Sequence, residues 1–345
     1  MDIEKIKMKI IKYILLIVLF AIIGIGGYVY YLTYTPQGRV KWGQALFLKL
    51  SASDNVSEIA DRLKTMTVLE RSHFIDQMPI NLEGLSVDTL KITSDSLTTY
   101  IFKPKVFDKS SPVIIYYHGG AFVLPWTNLS ISYATRLSKL YNAIVVAVDY
   151  RVAPEHPFPI PNNDCFATFL WTISNIEKWG GNPSNIIVAG ESAGATFASL
   201  VAIKAKQENL TNIKYQILEC PAGYSPFKTT AYQKFKIGYY LQEPEMQYAI
   251  ESYLPNEADR TNPLAFPFYA DSLSNLPPAY IIICEFDPLK DTGKEFAEKL
   301  KNAKVPTFLK EMKGMVHSIP GPFNEKDREN LYKEILIESK RYLKK

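Results

Sequence analysis

Ser192 stands in Gly190-Glu191-Ser192-Ala193-Gly194, and a serine set between small residues in this way is a candidate nucleophile. A hydroxyl attacks poorly until a base takes its proton, and the base needs an acid to orient it. The sequence holds only four histidines, so the base is found by elimination. His73 falls in a helical stretch ahead of any sheet and reads as a packed or surface residue. His156 sits among Pro154, Pro157 and Pro159, a rigid turn suited to structure. His118 ends an apolar run and opens Gly119-Gly120-Ala121, where it is better placed to hold that loop than to act as base. His317 remains, in a loop Lys313-Gly314-Met315-Val316-His317 after the last strand-like run. For the acid, Asp287 lies just past the run Tyr280 to Cys284, at a carboxyl end, with Pro288 fixing the turn. Asp291 is the rival, although its place before a helix suits an N-cap.

Such a set would carry acyl transfer through a covalent serine intermediate. The negative charge that develops on the substrate oxygen needs fixed N–H donors. Ala193, directly after the serine, would supply one. The loop Gly119, Gly120 and Ala121 would supply the others, because small side chains leave its backbone facing the pocket.

Positioning these groups demands particular elements. Ile186 to Ala189 is an apolar run too short for a helix and reads as a buried strand. It passes straight into the serine pentapeptide, and the alanine-rich, proline-free stretch beyond reads as a helix. The turn between them is tight enough that a Cβ at Gly190 or Gly194 would strike the neighbouring chain. Ser192 would then stand exposed above the free N–H groups of the helix.

Around this corner the apolar pattern alternates strand and helix, which predicts an α/β fold with a mostly parallel central sheet. Strands are expected at Val113–Tyr117, Ala143–Val148, Ile186–Ala189, Ile213–Leu218, Ala279–Cys284 and Thr307–Met312. Helices are expected near Ser130–Leu140, Asn163–Trp179, Thr292–Ala303 and from Glu325 onward. Val87–Ile92 and Thr98–Phe102, closed by Pro104, would form an antiparallel edge. Residues 223–271 break the rhythm with a Tyr-, Phe- and Pro-rich stretch too long for a bare loop, and read as an inserted helical cap. Its aromatic residues would mostly pack it onto the sheet, with a minority lining an apolar pocket. Ahead of the sheet, Asn55-x-x-Glu58 resembles a capping box opening an amphipathic helix with Ile59, Leu63 and Met66 on one stripe.

Composition excludes some functions. A hydrophobic share of 47% and a charged share of 21% describe a globular protein, and the formal charge of +4 comes with no basic run that would point to nucleic acid. Cys165, Cys220 and Cys284 lack metal-ligand spacing and read as buried small hydrophobes. No metal or other cofactor is expected. Asn55, Asn128 and Asn209 head Asn-x-Ser/Thr sequons.

Residues 13–32 carry no charge and are long enough to span a bilayer as a signal-anchor helix. Tyr28, Tyr30, Tyr31 and Tyr34 gather at the far end, where amphipathic rings prefer the interface. Lys5, Lys7, Lys9 and Lys12 precede the span, so residues 1–12 would be cytoplasmic and the rest outside. A cleaved signal peptide with Gly24 and Gly26 before the cut is the competing reading, giving a secreted protein, and a buried core helix is a third. The chain then divides into 33–85, a leading segment with the N-terminal part of a cap, and 86–345, the catalytic domain with its cap insertion.

Four ordered motifs make a resemblance specific. They are His118-Gly119-Gly120-Ala121-Phe122, Tyr150 to Pro159, Gly190 to Gly194, and Asp287-Pro288-Leu289-Lys290-Asp291. Together they resemble the hormone-sensitive-lipase family of α/β-hydrolase carboxylesterases, from about residue 85 to the C-terminus. The resemblance implies an α/β-hydrolase fold with a helical cap and a Ser192, Asp287, His317 triad. It also implies an oxyanion hole from Gly119 to Ala121 with Ala193, His118 and Glu191 as supporting motif residues, and a small ester as substrate. An anchor ahead of such a domain is similar to the arylacetamide-deacetylase branch. Ala121 replaces a glycine common in the family, Glu191 an aspartate and Ala195 a glycine. A hydrolase-fold binding protein without turnover, or an acyltransferase or amidase using the same triad, are the alternative readings.

Overall fold

The computed structural model describes residues 3–51, 56–73, 80–92, 97–108, 111–224, 226–318 and 324–343. Eight strands form one sheet: β3 (Leu85–Ile92), β4 (Leu97–Pro104), β5 (Val113–Tyr117), β6 (Ile144–Asp149), β7 (Ile186–Glu191), β8 (Ile213–Glu219), β9 (Ala279–Phe286) and β10 (Thr307–Val316). They lie in the order β10-β9-β8-β7-β5-β6-β4-β3. Only the β3–β4 and β4–β6 pairings are antiparallel, so the expected edge hairpin closes one side of a parallel sheet.

The strands owe their places to which faces are covered. β5 and β7 are buried at every residue, and β5 and the first four residues of β7 read as unbroken apolar runs because helices cover both faces. Successive side chains point to opposite faces. Ile115, Val188 and Ile281 meet α6 (Ile160–Asn175), α7 (Ala193–Gln207) and α10 (Lys290–Asn302) through Phe169, Phe197 and Phe296. Ile114, Ile187 and Tyr280 meet α5 (Asn128–Tyr141) and α11 (Glu325–Ser339) through Tyr133, Leu137, Leu331 and Ile335. The helix expected over 163–179 divides into α6 and a separate 3₁₀ turn, Ile176–Trp179. Gly180, at φ +85, takes the left-handed position that ends that turn.

The cap has two parts. The insertion folds as α8 (Thr230–Phe235), α9 (Glu243–Tyr253) and two 3₁₀ turns, Glu257–Thr261 and Pro267–Tyr269. The leading segment contributes α3 (Val56–Thr65) and α4 (Val68–His73). The two parts are joined where the Tyr248 hydroxyl donates to the Leu63 carbonyl at 3.2 Å. The capping residue expected at Asn55, with its sequon, lies outside the described residues.

At the N-terminus α1 (Ile3–Leu32) is a single helix whose residues Ile6–Leu32 are long and apolar enough to cross a membrane, and none of the span is buried. A short hairpin, β1 (Tyr34–Thr35) with β2 (Gly38–Arg39), follows and leads into α2 (Trp42–Ser51). This stretch does not simply join the cap. The Lys41 N–H donates to the Gly314 carbonyl at 2.8 Å, and the Gln44 side-chain oxygen accepts the Val316 N–H at 3.2 Å. Val40 and Ala45 are buried with Phe286 and Val316 from the sheet and with Phe235 and Tyr239 from the cap.

Candidate active site

The sheet delivers four loops to one rim, because β5, β7, β9 and β10 are parallel and end together. Crevices at the carboxyl ends of such strands are where this architecture builds sites. His118 follows β5, Ser192 follows β7, Asp287 follows β9 and His317 follows β10.

Ser192 adopts φ +54 and ψ −122 between the last residue of β7 and the first of α7. Side chains rarely sit there, and such a backbone persists only where its surroundings enforce it. Here the Ser192 N–H donates to the Glu219 carbonyl at 2.7 Å. The flanking glycines are required by space. A Cβ on Gly194 would stand 2.0 Å from the Tyr117 carbonyl oxygen, and one on Gly190 would stand 2.4 Å from the Gly194 carbonyl.

His317 and Asp287 reach the serine from the next two strands. The loop expected at Lys313–His317 is instead a bulged continuation of β10, which keeps pairing with β9 as far as Val316. The bulge includes Gly314 at φ +71, and it brings His317 straight off the strand end. His317 Nε2 lies 2.9 Å from Ser192 Oγ, and Nδ1 lies 2.8 Å from Asp287 Oδ2. Asp287 is fully buried, and its other oxygen accepts the Leu289 N–H at 2.8 Å. Burial alone would lower the basicity of His317, but the charge and hydrogen bond of Asp287 outweigh it and raise the imidazole pKa.

The loop after β5 is held from several sides. The Gly119 N–H donates to Glu191 Oε1 at 2.6 Å, so that donor, expected to face substrate, is engaged by the residue before Ser192. No partner within the described residues takes the N–H of Gly120 or Ala121. Gly120 has φ +127, and a Cβ there would meet Leu124 at 2.8 Å. Ala121 follows at φ +53, so the alanine in the family's glycine position sits in the left-handed region. At the first position of α7, Ala193 has an N–H with no place in the helix ladder. His118 is buried and lies within hydrogen-bonding distance of the Gly119 carbonyl through Nδ1, 2.6 Å away. Burial lowers its pKa to about 4 against that bond, so it is a neutral ring at neutral pH. The ring stacks on Tyr150 at 4.1 Å, and the Tyr150 hydroxyl donates to the His118 carbonyl at 2.6 Å.

The remaining candidates fall elsewhere. Asp291 lies in the first turn of α10, and its carboxylate accepts the Ala231 N–H of α8 at 2.7 Å, tying the cap down instead of capping its own helix. His73 is at the end of α4, with Nδ1 2.7 Å from the Leu69 carbonyl, and His156 packs in the proline turn. Cap aromatics reach the site loops at two points: Tyr253 stacks on Phe122 at 4.2 Å, and Tyr239 on Phe286 at 5.8 Å.

Two groups had no signal in the chain. Arg71, 1% exposed, donates to the Val123 carbonyl at 3.0 Å and the Met66 carbonyl at 2.8 Å and pairs with Glu155, pinning α4 to the end of the loop after β5. An arginine on an amphipathic helix reads as solvent-facing until the fold covers it. Cys220 lies against Asp287 and His317: its thiol and their facing atoms are within 4.8 Å of one another. Its sulfur is 3.5 Å from that of Cys284. Burial, reinforced by Cys284, raises the Cys220 thiol well above the usual range and holds it protonated, while His317 Nδ1 and Asp287 hydrogen-bond each other.

The class that fold and site define is a serine hydrolase. The alpha/beta hydrolase fold family matches residues 114–320, and the chain belongs to that family, in its hormone-sensitive-lipase-like group. Among its relatives, the carboxylesterase NlhH of Mycobacterium tuberculosis is 34% identical over 247 residues, covering 69% of this chain and 77% of that protein. An arylesterase of Saccharolobus solfataricus is 30% identical over 233 residues, covering 67% and 76%. The solved esterase of Pyrobaculum calidifontis superposes with a TM-score of 0.72 at 30% identity, covering 86% of this chain and 96% of that one.

Proposed function

We propose that this protein is a serine carboxylesterase or deacylase that hydrolyses short-chain acyl or aryl esters. The observation that carries the reading is the unbroken chain from Ser192 Oγ through both nitrogens of His317 to Asp287, at 2.9 and 2.8 Å. His317 Nε2 takes the serine proton as Oγ attacks the ester carbonyl. Asp287 holds the ring in the tautomer that leaves Nε2 free and stabilises the cation formed. The N–H groups of Gly120, Ala121 and Ala193 receive the oxyanion, with Gly119 kept as a strut to Glu191. His317 then returns the proton to the departing alcohol, leaving an acyl-serine. Water, deprotonated by the same ring, attacks that acyl group and releases the acid. None of these steps calls on a metal or other cofactor. The names of the relatives, esterases acting on carboxylic and aryl esters, support the substrate class.

The exposed apolar span Ile6–Leu32 supports an uncleaved anchor, as in the arylacetamide-deacetylase branch, with lysines on the cytoplasmic side and the hydrolase domain beyond the membrane. The organisation that goes with it is residues 1–12 inside, 13–32 in the bilayer, 33–85 leading into the cap, and 86–345 catalytic, with the insertion at 223–271.

A fluorophosphonate probe tests the site. It is expected to label the wild type and not Ser192→Ala, with kcat of the variant down by several orders of magnitude. Folded wild type that resists labelling ends the proposal. A panel of p-nitrophenyl esters of graded length tests the substrate class, and a preference for long acyl chains overturns it.

A further inference from the structure

Behind the triad lies a buried polar cluster that no step of the reaction uses. Its centre is Glu219, the last residue of β8 and 5% exposed. The backbone carbonyl of Glu219 accepts the Ser192 N–H at 2.7 Å. Its carboxylate accepts the Ser318 hydroxyl at 3.2 Å through Oε1 and the Tyr332 hydroxyl at 3.1 Å through Oε2. Ser318 directly follows His317 and has φ +28, a backbone angle that an L residue holds only under constraint. A second bond supplies that constraint, since the Tyr133 hydroxyl donates to the Ser318 carbonyl at 3.0 Å. Arg328 of α11, 3% exposed, donates to the Tyr133 hydroxyl at 2.9 Å and places its guanidinium 3.5 Å from Glu219.

We infer that Glu219 is a positioning residue that sets the nucleophile and the base relative to one another, through its main chain and its side chain respectively. The inference rests on the triad proposed above. One residue thereby spans the two loops whose separation decides whether His317 can take the serine proton. An apolar residue at the end of β8 would still hold Ser192 through its carbonyl, but it would take away the acceptor of the Ser318 hydroxyl and leave the strained Ser318 backbone held by Tyr133 alone. His317 would drift with it, and misplacements on the scale of 1 Å are costly in general-base catalysis. The carboxylate can be kept in this dry interior because Arg328 faces it and two tyrosines donate into the cluster. α11 therefore contributes to the site although it carries no catalytic group. A buried acid holding only Ser192 would make the same main-chain bond, so the side-chain tie to Ser318 is the distinguishing feature.

Three variants test this: Ser318→Ala and Tyr332→Phe, which remove one hydroxyl each and leave the charges paired, and Glu219→Gln. Active-site titration with the fluorophosphonate first establishes that the wild type has a working Ser192. If it has none, the reading of the site fails and not this inference. With a working wild type, Ser318→Ala is expected to lower kcat about tenfold at unchanged KM and to shift the acid limb of the kcat profile, with its unfolding temperature near that of the wild type. Tyr332→Phe is expected to move kcat in the same direction by a smaller factor, and Glu219→Gln by more than either. If Glu219→Gln does not fold, the two hydroxyl variants decide. Folded Ser318→Ala and Tyr332→Phe proteins with kcat within twofold of the wild type, and with its pH profile, overturn the assignment.

Discussion

Glu191 and Gly119 are tied at 2.6 Å, side-chain oxygen to backbone N–H, so the residue before Ser192 sets the pose of the loop that follows β5, the proposed receiver of the oxyanion. The Tyr116 hydroxyl donates to the same oxygen at 2.9 Å. Burial pushes the Glu191 carboxyl up to about 8, against both of these bonds, from an ordinary value of 4.5. Folding therefore takes up a proton between those two values. Stability from this group is full below about 4.5 and is lost as pH rises toward 8. Glu191→Gln keeps an acceptor oxygen and cannot ionise, so it is expected to flatten that part of the profile. Thermal unfolding across about pH 5 to 9 reads the slope. A glutamine variant that loses stability with rising pH as steeply as the wild type refutes the account.

Gly194→Ala is expected to prevent folding or to cost on the order of 4 kcal/mol or more, because main chain cannot yield to a Cβ 2.0 Å from the Tyr117 oxygen. Gly24→Ala, with nothing within 4 Å, is the contrast and is expected to be neutral. Soluble yield and unfolding temperature of the two variants provide the measurement.

Asp287→Asn is expected to lower kcat by about 10⁴ while leaving the fold intact, since it presents the wrong hydrogen-bonding partner to His317. The pH dependence follows from the sign of the shift. His317 must be unprotonated to accept from Ser192, and Asp287 raises its pKa against the effect of burial. Wild-type activity is thus expected to fall as pH drops through a value above the ordinary 6.5 of imidazole. In the residual activity of Asp287→Asn that limb should move to lower pH; a limb that stays in place contradicts the assignment.

Ala121→Gly removes the one Cβ that the proposed oxyanion loop, Gly119 to Ala121, carries at φ +53, at the price of a more flexible unfolded chain. The two effects oppose one another at about 1 kcal/mol each, so stability is expected to change little and kcat/KM to stay within about threefold. Ala121→Val, branched at the same angle, is expected to abolish turnover. Steady-state kinetics on a short p-nitrophenyl ester distinguish the two.

For the anchor, a phosphatase reporter that works only outside the cytoplasm, fused after Lys41, is expected to be active, and a cytoplasmic reporter at the same point silent. The reverse pattern would invert the proposed topology.

Much of this molecule was legible in the chain because its signals are local. Fully buried parallel strands such as Val113–Tyr117 must be apolar throughout, and a strand-to-helix corner that tolerates no Cβ must bracket its serine with glycine. With few histidines to choose from, His317 and its partner Asp287 could be named from their places after strands. Where those side chains meet, and what holds them, is a property of contacts between segments far apart in sequence. Nothing local in Gly119 says that its N–H is taken by Glu191, and nothing local in Glu219 separates it from a solvated strand end. Arg71 and Cys220 tell the same story, one a surface residue by pattern and the other a small hydrophobe, until the cap and the neighbouring strands enclose them. Apolar periodicity and steric need are written along the chain, whereas the pairing of buried polar groups depends on three-dimensional proximity, and only the packed sheet with its cap decides it.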